Sequence, residues 1–354
     1  MTDTTLHVLH ITPSLSRRAG GVSTYIWDVV RHSAECGLDP TLVALRDAYV
    51  DEDTRAYQQY RMFNVPPFGP VSLGYSLAVK KLLRRYDRPV DIVHLHGLRT
   101  LIGAEARRFA ERRGVPLVIS PHGQYEPWIV AGKRLRKRLI AWLCDDRTNA
   151  AAAAFHATSA QEVHSIRDAQ VTQPVILAPI GLDPEPFGLP PPQAADRETD
   201  LLSKTWPELR GKNRLLFLSR LDKKKGLPNL AAAWGRLAAK YPDWRLVITG
   251  PDLAGFRTVV EQAVADAGVT DRTTFTGPQF GEMRNAIYAL CDLSGLPTFS
   301  ENFGIVVTEA LASRTPVITT HPTPWRELDE CDCGWWIPVG IDPLTDILHA
   351  AMSL

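Results

Sequence analysis

Two glutamates, Glu301 and Glu309, stand eight positions apart in the run SENFGIVVTEAL, residues 300–311, with Phe303 and Gly304 between them. If a helix begins near Gly304, Glu301 stays on the loop before it and Glu309 faces the same way roughly 12 Å further on, at about 1.5 Å per residue. The amides of Phe303, Gly304 and Ile305 then lie between the two acids. A helix start holds unpaired N–H groups and a partial positive charge, which suit phosphate or electron-rich hydroxyls, and a glycine lets a ligand approach the backbone. That spacing suits the two ends of a sugar nucleotide. An amphipathic core helix that happens to carry two acids would read the same way.

A second stretch, FLSRLDKKKGLPNLAAAW, supplies the opposite charge. The apolar run Leu215–Leu218 ends in Ser219-Arg220, and Lys225-Gly226 leads into the apolar-periodic segment Leu227–Leu237. This reads as a strand, a basic loop and a helix start. Arg220 and Lys225 thus fall where the carboxyl end of a strand meets a helix N-terminus, the usual ligand position in open α/β sheets. Two fixed cations there can stabilise a departing diphosphate without a metal. Lys223 and Lys224 read as solvated turn residues.

Arg220 and Lys225 with Gly226, then Glu301, Phe303, Gly304 and Glu309, then Pro316-Val317 resemble the donor half of the retaining glycosyltransferases of family four, which have the GT-B fold. The resemblance runs from about His7 to Trp336. It implies an α/β protein of two Rossmann-like domains facing each other across an interdomain cleft. It assigns Arg220 and Lys225 to the donor diphosphate, Glu301 with the amides of Phe303, Gly304 and Ile305 to the sugar hydroxyls, and Glu309 to the ribose diol. A base would rest on backbone near Pro278-Gln279-Phe280. Near the amino end, LHVLHITPSLSRRAGGVSTYIWDVV reads as strand, loop and helix, and the resemblance implies that Gly20 and Gly21 contact the diphosphate from the other domain. An ordinary turn also explains a glycine pair.

In PLVISPHGQYEPW, His122 follows the expected strand Leu117–Ser120 and precedes Gly123. Its position matches the family's donor-facing histidine, which helps hold the sugar ring and places a backbone carbonyl near the anomeric carbon. His96 in DIVHLHGL occupies an equivalent strand end on the acceptor side, where a satisfied core histidine is the competing reading. The implied chemistry is glycosyl transfer with retention: leaving diphosphate and incoming hydroxyl share one face of an oxocarbenium-like sugar, and the departing phosphate oxygen takes the acceptor's proton. Placement and electrostatic stabilisation of the leaving group are then the protein's main contributions. No cofactor or metal is expected beyond the nucleoside-diphosphate sugar.

Composition sets the class. A chain of 354 residues exceeds one ordinary domain, and 45% hydrophobic content with a net charge of +1 is that of a globular protein with no call for nucleic acid. There is no apolar run of eighteen residues and no charged-then-apolar leader, so a cytoplasmic location is expected. Cys36, Cys144, Cys291, Cys331 and Cys333 are odd in number and lack zinc-ribbon spacing, which suits buried thiols in a reducing compartment. The chain has no Gly-x-Gly-x-x-Gly after its first strand and no Gly-x4-Gly-Lys-Ser/Thr, which removes dinucleotide oxidoreductases and P-loop phosphotransferases. Asp51-Glu52-Asp53 spells an Asp-x-Asp but, without a strand before it, reads as a solvated loop.

The elements that must position these residues alternate strand and helix in both halves, the pattern of parallel sheets covered by helices. Expected strands are His7–Thr12, Thr41–Leu45, Ile92–Leu95, Leu117–Ser120, Val175–Ala178, Leu215–Ser219, Leu246–Thr249, Leu293–Leu296 and Val317–Thr319, with Phe155 opening another. The proline-rich run 184–193 sustains neither helix nor central strand. It reads as a linker between an acceptor domain, 1–183, and a nucleotide-sugar donor domain, 194–354, and as their hinge.

The acceptor is marked less strongly. GKRLRKRLIAWLC, residues 132–144, interleaves Lys133, Arg134, Arg136, Lys137 and Arg138 with an apolar stripe of Leu135, Leu139, Trp142 and Leu143. It is either a core-packed helix with a solvated basic face or an interfacial helix that meets anionic lipid, where a lipid-linked saccharide is elongated. TPWREL and CGWW, around Trp325 and Trp335-Trp336, resemble members that build exopolysaccharide or O-antigen. Two features depart from the family. Ala312-Ser313-Arg314-Thr315-Pro316 stands where Ala-x-Gly-x-Pro is usual, and the chain ends at Leu354 soon after its last expected helix begins, whereas the family's C-terminal helix normally crosses back to the first domain. A non-catalytic sugar-nucleotide-binding subunit, or an epimerase or phosphorylase of the same fold, is the competing class.

Overall fold

The computed structural model describes residues 5–69, 73–126, 145–187, 200–252 and 255–354. The chain divides into two compact units, Met1–Gly181 and Leu182–Leu354. The basic stretch 132–144 lies outside the described residues, as does 188–193 of the proline-rich run.

The first unit holds a parallel sheet of β1 (Leu6–Thr12), β2 (Leu38–Leu45), β3 (Arg61–Val65), β4 (Ile92–His96), β5 (Leu117–Ser120), β6 (Ala154–Ala157) and β7 (Val175–Leu177) in the order β3-β2-β1-β4-β5-β6-β7. Its helices cover both faces, and Leu9, Ile11, Val43, Val93, Leu95 and Ile119 are fully buried beside the histidines of β1 and β4. Helix Gly21–Ser33 buries Ile26, Trp27 and Val30. Trp27 stacks on Tyr57 at 3.8 Å between ring centroids and donates its indole N–H to the Leu15 carbonyl. Helix Leu101–Arg113 ends on Gly114 in the left-handed conformation, with the amide of Gly114 closing the last turn.

The second unit repeats the plan with β8 (Asn213–Leu218), β9 (Trp244–Thr249), β10 (Thr273–Gly277), β11 (Leu293–Leu296), β12 (Val317–Thr320) and β13 (Gly334–Ile337), ordered β10-β9-β8-β11-β12-β13 and parallel throughout. Counted within each unit, the strand order is 3-2-1-4-5-6, with a seventh strand added in the first unit, the order of the Rossmann sheet, whose crevice for ligands opens where the order reverses. That point lies between β1 and β4 in one unit and between β8 and β11 in the other. At the start of β8, the fully buried Arg214 donates to Asp200, Ser203 and the carbonyls of Leu209 and Leu290. A buried guanidinium is tolerated only with such partners. The last helix, Ile341–Ala351, packs on helix Leu227–Leu237 of its own unit, with Arg236 paired to Asp342.

Three strands escape the sequence reading: β3, β10 and β13. Each is an edge strand of its sheet, reading RMFNV, TTFTG and GWWI, with half-buried positions in place of an apolar run. Among the described residues no helix is long and apolar enough to cross a membrane.

Candidate active site

In the second unit the two strands flanking the switch point deliver the basic loop and the first glutamate to each other. After β8, the Ser219 amide bonds the Thr249 carbonyl and the Leu221 amide that of Pro251, turning the chain into the basic loop. Asp222 caps the short turn Lys223–Lys225 through the amide of Lys224. The loop is then tied to the segment following β11, because the Lys224 carbonyl accepts from the Phe299 amide at 2.8 Å and the Thr298 hydroxyl at 3.0 Å. Gly226 is obligatory at this junction. Its φ is +69°, and a Cβ would lie 1.9 Å from the Pro297 carbonyl oxygen.

This stitching places Lys225, only 6% exposed, against Glu301, to whose carboxylate its ammonium donates. Lysine is seldom so buried without a partner. Arg220 and Lys223 are exposed on the same loop. Phe303 is buried edge-on against Trp325, whose indole N–H donates to the Phe303 carbonyl. Gly304, at φ +81°, caps helix Ile305–Ala312, so the helix starts where the sequence expects it, and its first amides precede the i→i−4 ladder. Phe280 is exposed and caps helix Gly281–Ala289.

Glu309 lies one helical stretch beyond but is 2% exposed. Its carboxylate accepts from the Tyr288 hydroxyl at 2.8 Å and pairs with Arg284 at 3.1 Å. Tyr288 titrates well above the usual phenol range, because burial and then the Glu309 charge disfavour its anion. Neither Arg284 nor Tyr288 is flagged by sequence pattern, since both lie on an amphipathic helix distant in the chain.

In the first unit, Gly20 closes the turn Arg17–Ala19 at φ +61° and Gly21 opens helix Gly21–Ser33. The Asp-x-Asp reading needs correction. Val50–Asp53 is a short helix, and Asp53 takes both the backbone amide and the guanidinium of Arg17, fixing the loop that leads into the glycine pair. Asp51 pairs with Arg46 on the surface.

His122, at φ +52°, stands after β5, and the next amide, that of Gly123, donates to Glu162 at 2.6 Å. His96 is fully buried at the end of β4, held by two imidazoles: its Nε2 lies 3.0 Å from Nδ1 of His10 and its Nδ1 3.2 Å from Nε2 of His122. His94, two residues earlier on the same face, meets the Ser120 hydroxyl at 2.7 Å, which in turn meets His156. Burial drives the pKa of His10 down to about 4 and, with the His156 charge adding, that of His122 to about 3. Burial and then the neighbouring imidazoles hold His94 and His96 well below the usual range. All four are neutral near pH 7. The sequence reading singled out His96 and His122 and missed His10 and His94. The available signal was the alternation in VHLHG, which puts two imidazoles on one sheet face.

Two family models match the chain: "Glycosyltransferase Family 4" over residues 19–186 and "Glycosyl transferases group 1" over residues 199–348. A D-inositol 3-phosphate glycosyltransferase of Stackebrandtia nassauensis is 28% identical over 239 residues, 64% of this chain and 52% of that protein. One from Mycolicibacterium smegmatis is 41% identical over 87 residues, 23% of this chain and 20% of the relative. The matches thus span about half or less of these relatives' length. The fold is that of Anabaena Alr3699/HepE in complex with UDP and glucose, with TM-score 0.76 at 18% identity over 98% of this chain and 90% of that one. It is also that of WaaG, a glycosyltransferase involved in lipopolysaccharide biosynthesis, with TM-score 0.73 at 18% identity over the same shares. With both halves matched and a Rossmann sheet in each, the chain belongs to the group 1, family 4 glycosyltransferases of the GT-B fold.

Proposed function

We propose that this chain transfers a sugar, with retention of configuration, from a nucleoside-diphosphate sugar to a hydroxyl of a saccharide or lipid-linked saccharide in the assembly of cell-surface polysaccharide. The observation that carries the reading is the buried Lys225–Glu301 pair, held at the switch point of the second sheet beside the exposed Arg220. A donor entering there finds an ammonium for its diphosphate, a carboxylate for its sugar hydroxyls, and the amides at Phe303–Ile305 between them. As the glycosyl bond breaks, negative charge grows on the leaving diphosphate, and Lys225 and Arg220 stabilise it most at that moment. The acceptor oxygen forms the new bond on the face the diphosphate leaves, and its proton passes to the departing phosphate oxygen. Glu309 takes the ribose diol. Relatives named as glycosyltransferases and folds solved with UDP and glucose support the donor class.

On this reading Arg220 and Lys225 replace a hard divalent ion at the diphosphate, and the basic stretch 132–144 meets the anionic membrane surface that carries the acceptor. The test is turnover with a panel of sugar nucleotides, Mg2+ and Mn2+ withheld. Lys225→Ala is expected to lose about 10²–10³-fold in kcat, the scale of one removed charge-stabilising donor. Lys223→Ala, on the same loop and exposed, is expected to stay within about twofold, the scale of a change at a solvated surface position. Equal losses in both variants, or turnover that requires added Mg2+ or Mn2+, would overturn the reading.

A further inference from the structure

Among the described residues, His10, His94 and His96 each bring one ring nitrogen within 4.8 Å of the other two. The arrangement follows from strand register. His10 of β1 pairs directly with His94 of β4, and His96 lies two residues on, on the same sheet face. The three rings therefore stand at the switch point of the first sheet, where parallel α/β sheets hold ligands. His10 and His96 already approach to 3.0 Å between ring nitrogens, whereas two nitrogens bound tetrahedrally to one zinc at about 2.0–2.1 Å lie about 3.3 Å apart.

We infer that His10, His94 and His96 form a binding site for a zinc-type divalent ion, with the three imidazoles as its protein ligands and a fourth position open. The chemistry of the donor set selects the ion. Three imidazoles without a carboxylate suit zinc, copper or nickel and offer nothing to magnesium or calcium, which demand oxygen. Each outer ring contact matches what metal-bound histidines use to fix orientation: the Ser120 hydroxyl on His94 Nε2 and His122 on His96 Nδ1. His10 and His96 are buried while His94 is half-buried, which gives an ion a way in. This site is separate from the diphosphate chemistry assigned to Lys225, and its test uses neither donor nor acceptor.

The full chain, stripped of metal and dialysed against zinc sulfate, is expected to retain one zinc per chain. The zinc X-ray absorption edge should show nitrogen at about 2.0–2.1 Å with imidazole scattering. His94→Asn and His96→Asn should each weaken binding by at least about tenfold, the lower bound seen even for residues one shell further out. His164→Asn, an exposed histidine outside the cluster, and Cys331→Ser/Cys333→Ser should bind as wild type. Wild-type protein that retains no zinc, or sulfur at about 2.3 Å in its absorption spectrum, overturns the inference whether or not the variants fold. So does a folded His96→Asn that binds as tightly as wild type.

Discussion

Arg284 and Glu309 form a 3.1 Å ion pair between helices Gly281–Ala289 and Ile305–Ala312, with the glutamate side chain 3% exposed and the arginine 26%. Arg284→Ala takes a charged partner away from that buried carboxylate. Breaking a buried pair from one side costs about 3–5 kcal/mol, and the partial exposure of Arg284 lowers the expectation to about 2. Because Glu309 is the group assigned to the ribose, the donor KM should rise about tenfold with kcat little changed, and Arg284→Lys should recover part of it. Chemical denaturation and donor-saturation curves measure the two effects. A stable Arg284→Ala with wild-type donor KM would show that Arg284 does not position Glu309.

Gly226 carries the second expectation. A methyl group there meets the Pro297 carbonyl oxygen at 1.9 Å, on a backbone already at φ +69°. Gly226→Ala should therefore destabilise the second unit by about 2 kcal/mol or more, and turnover should fall with it, because the clash pushes apart the two loops that bring Lys225 to Glu301. A crystal structure of the variant with the Lys225–Glu301 pair intact and unchanged thermal stability would refute this.

The buried histidines make the first unit acid-sensitive. Each is neutral when folded and ionises near 6.5 when unfolded, so the unfolded chain binds more protons below that pH. The stability they contribute is complete above about 6.5 and drains away as pH falls toward about 4, the folded value of His10. The slope is about 1.4 kcal/mol per pH unit for each histidine. Asp145, pushed up to about 6 by burial, works the other way as one group against four. Hydrogen exchange read by peptide between pH 7 and pH 5, corrected for intrinsic rates, should show β1, β4 and β5 losing protection while β8 and β9 keep theirs. Equal loss in both sheets would refute it.

What the sequence made legible was whatever chemistry is written locally. Interior strands such as β5 and β11 were found to the residue, because short segments of apolar and small residues bounded by turn signals mark them locally. The outer strands β3, β10 and β13 were not, since an outer strand keeps polar positions and its membership depends on a distant neighbour. The basic loop and the Glu301 loop were visible as strand-to-helix junctions, but their meeting through Lys224, Phe299 and Thr298 is a tertiary fact. The histidine cluster was half seen for the same reason: His96 stands at a strand end, whereas His10 becomes its neighbour only through the β1–β4 register. At the unusual Ala312–Pro316 segment, Arg314 itself takes the left-handed conformation at φ +60°, and the Thr315 amide still closes onto Ala310. The turn survives the missing glycine at a strain of about 1–2 kcal/mol.

Each apolar core draws its buried residues from one side of the Gly181–Leu182 division alone: Leu9 to Val171 on one side, Phe187 to Met352 on the other. A packing defect in one half therefore leaves the other half's interior untouched. The same separation makes the halves inheritable as modules. A lineage can redraw one half while the other stays as it was, and a chimera joined at this boundary keeps both interiors whole.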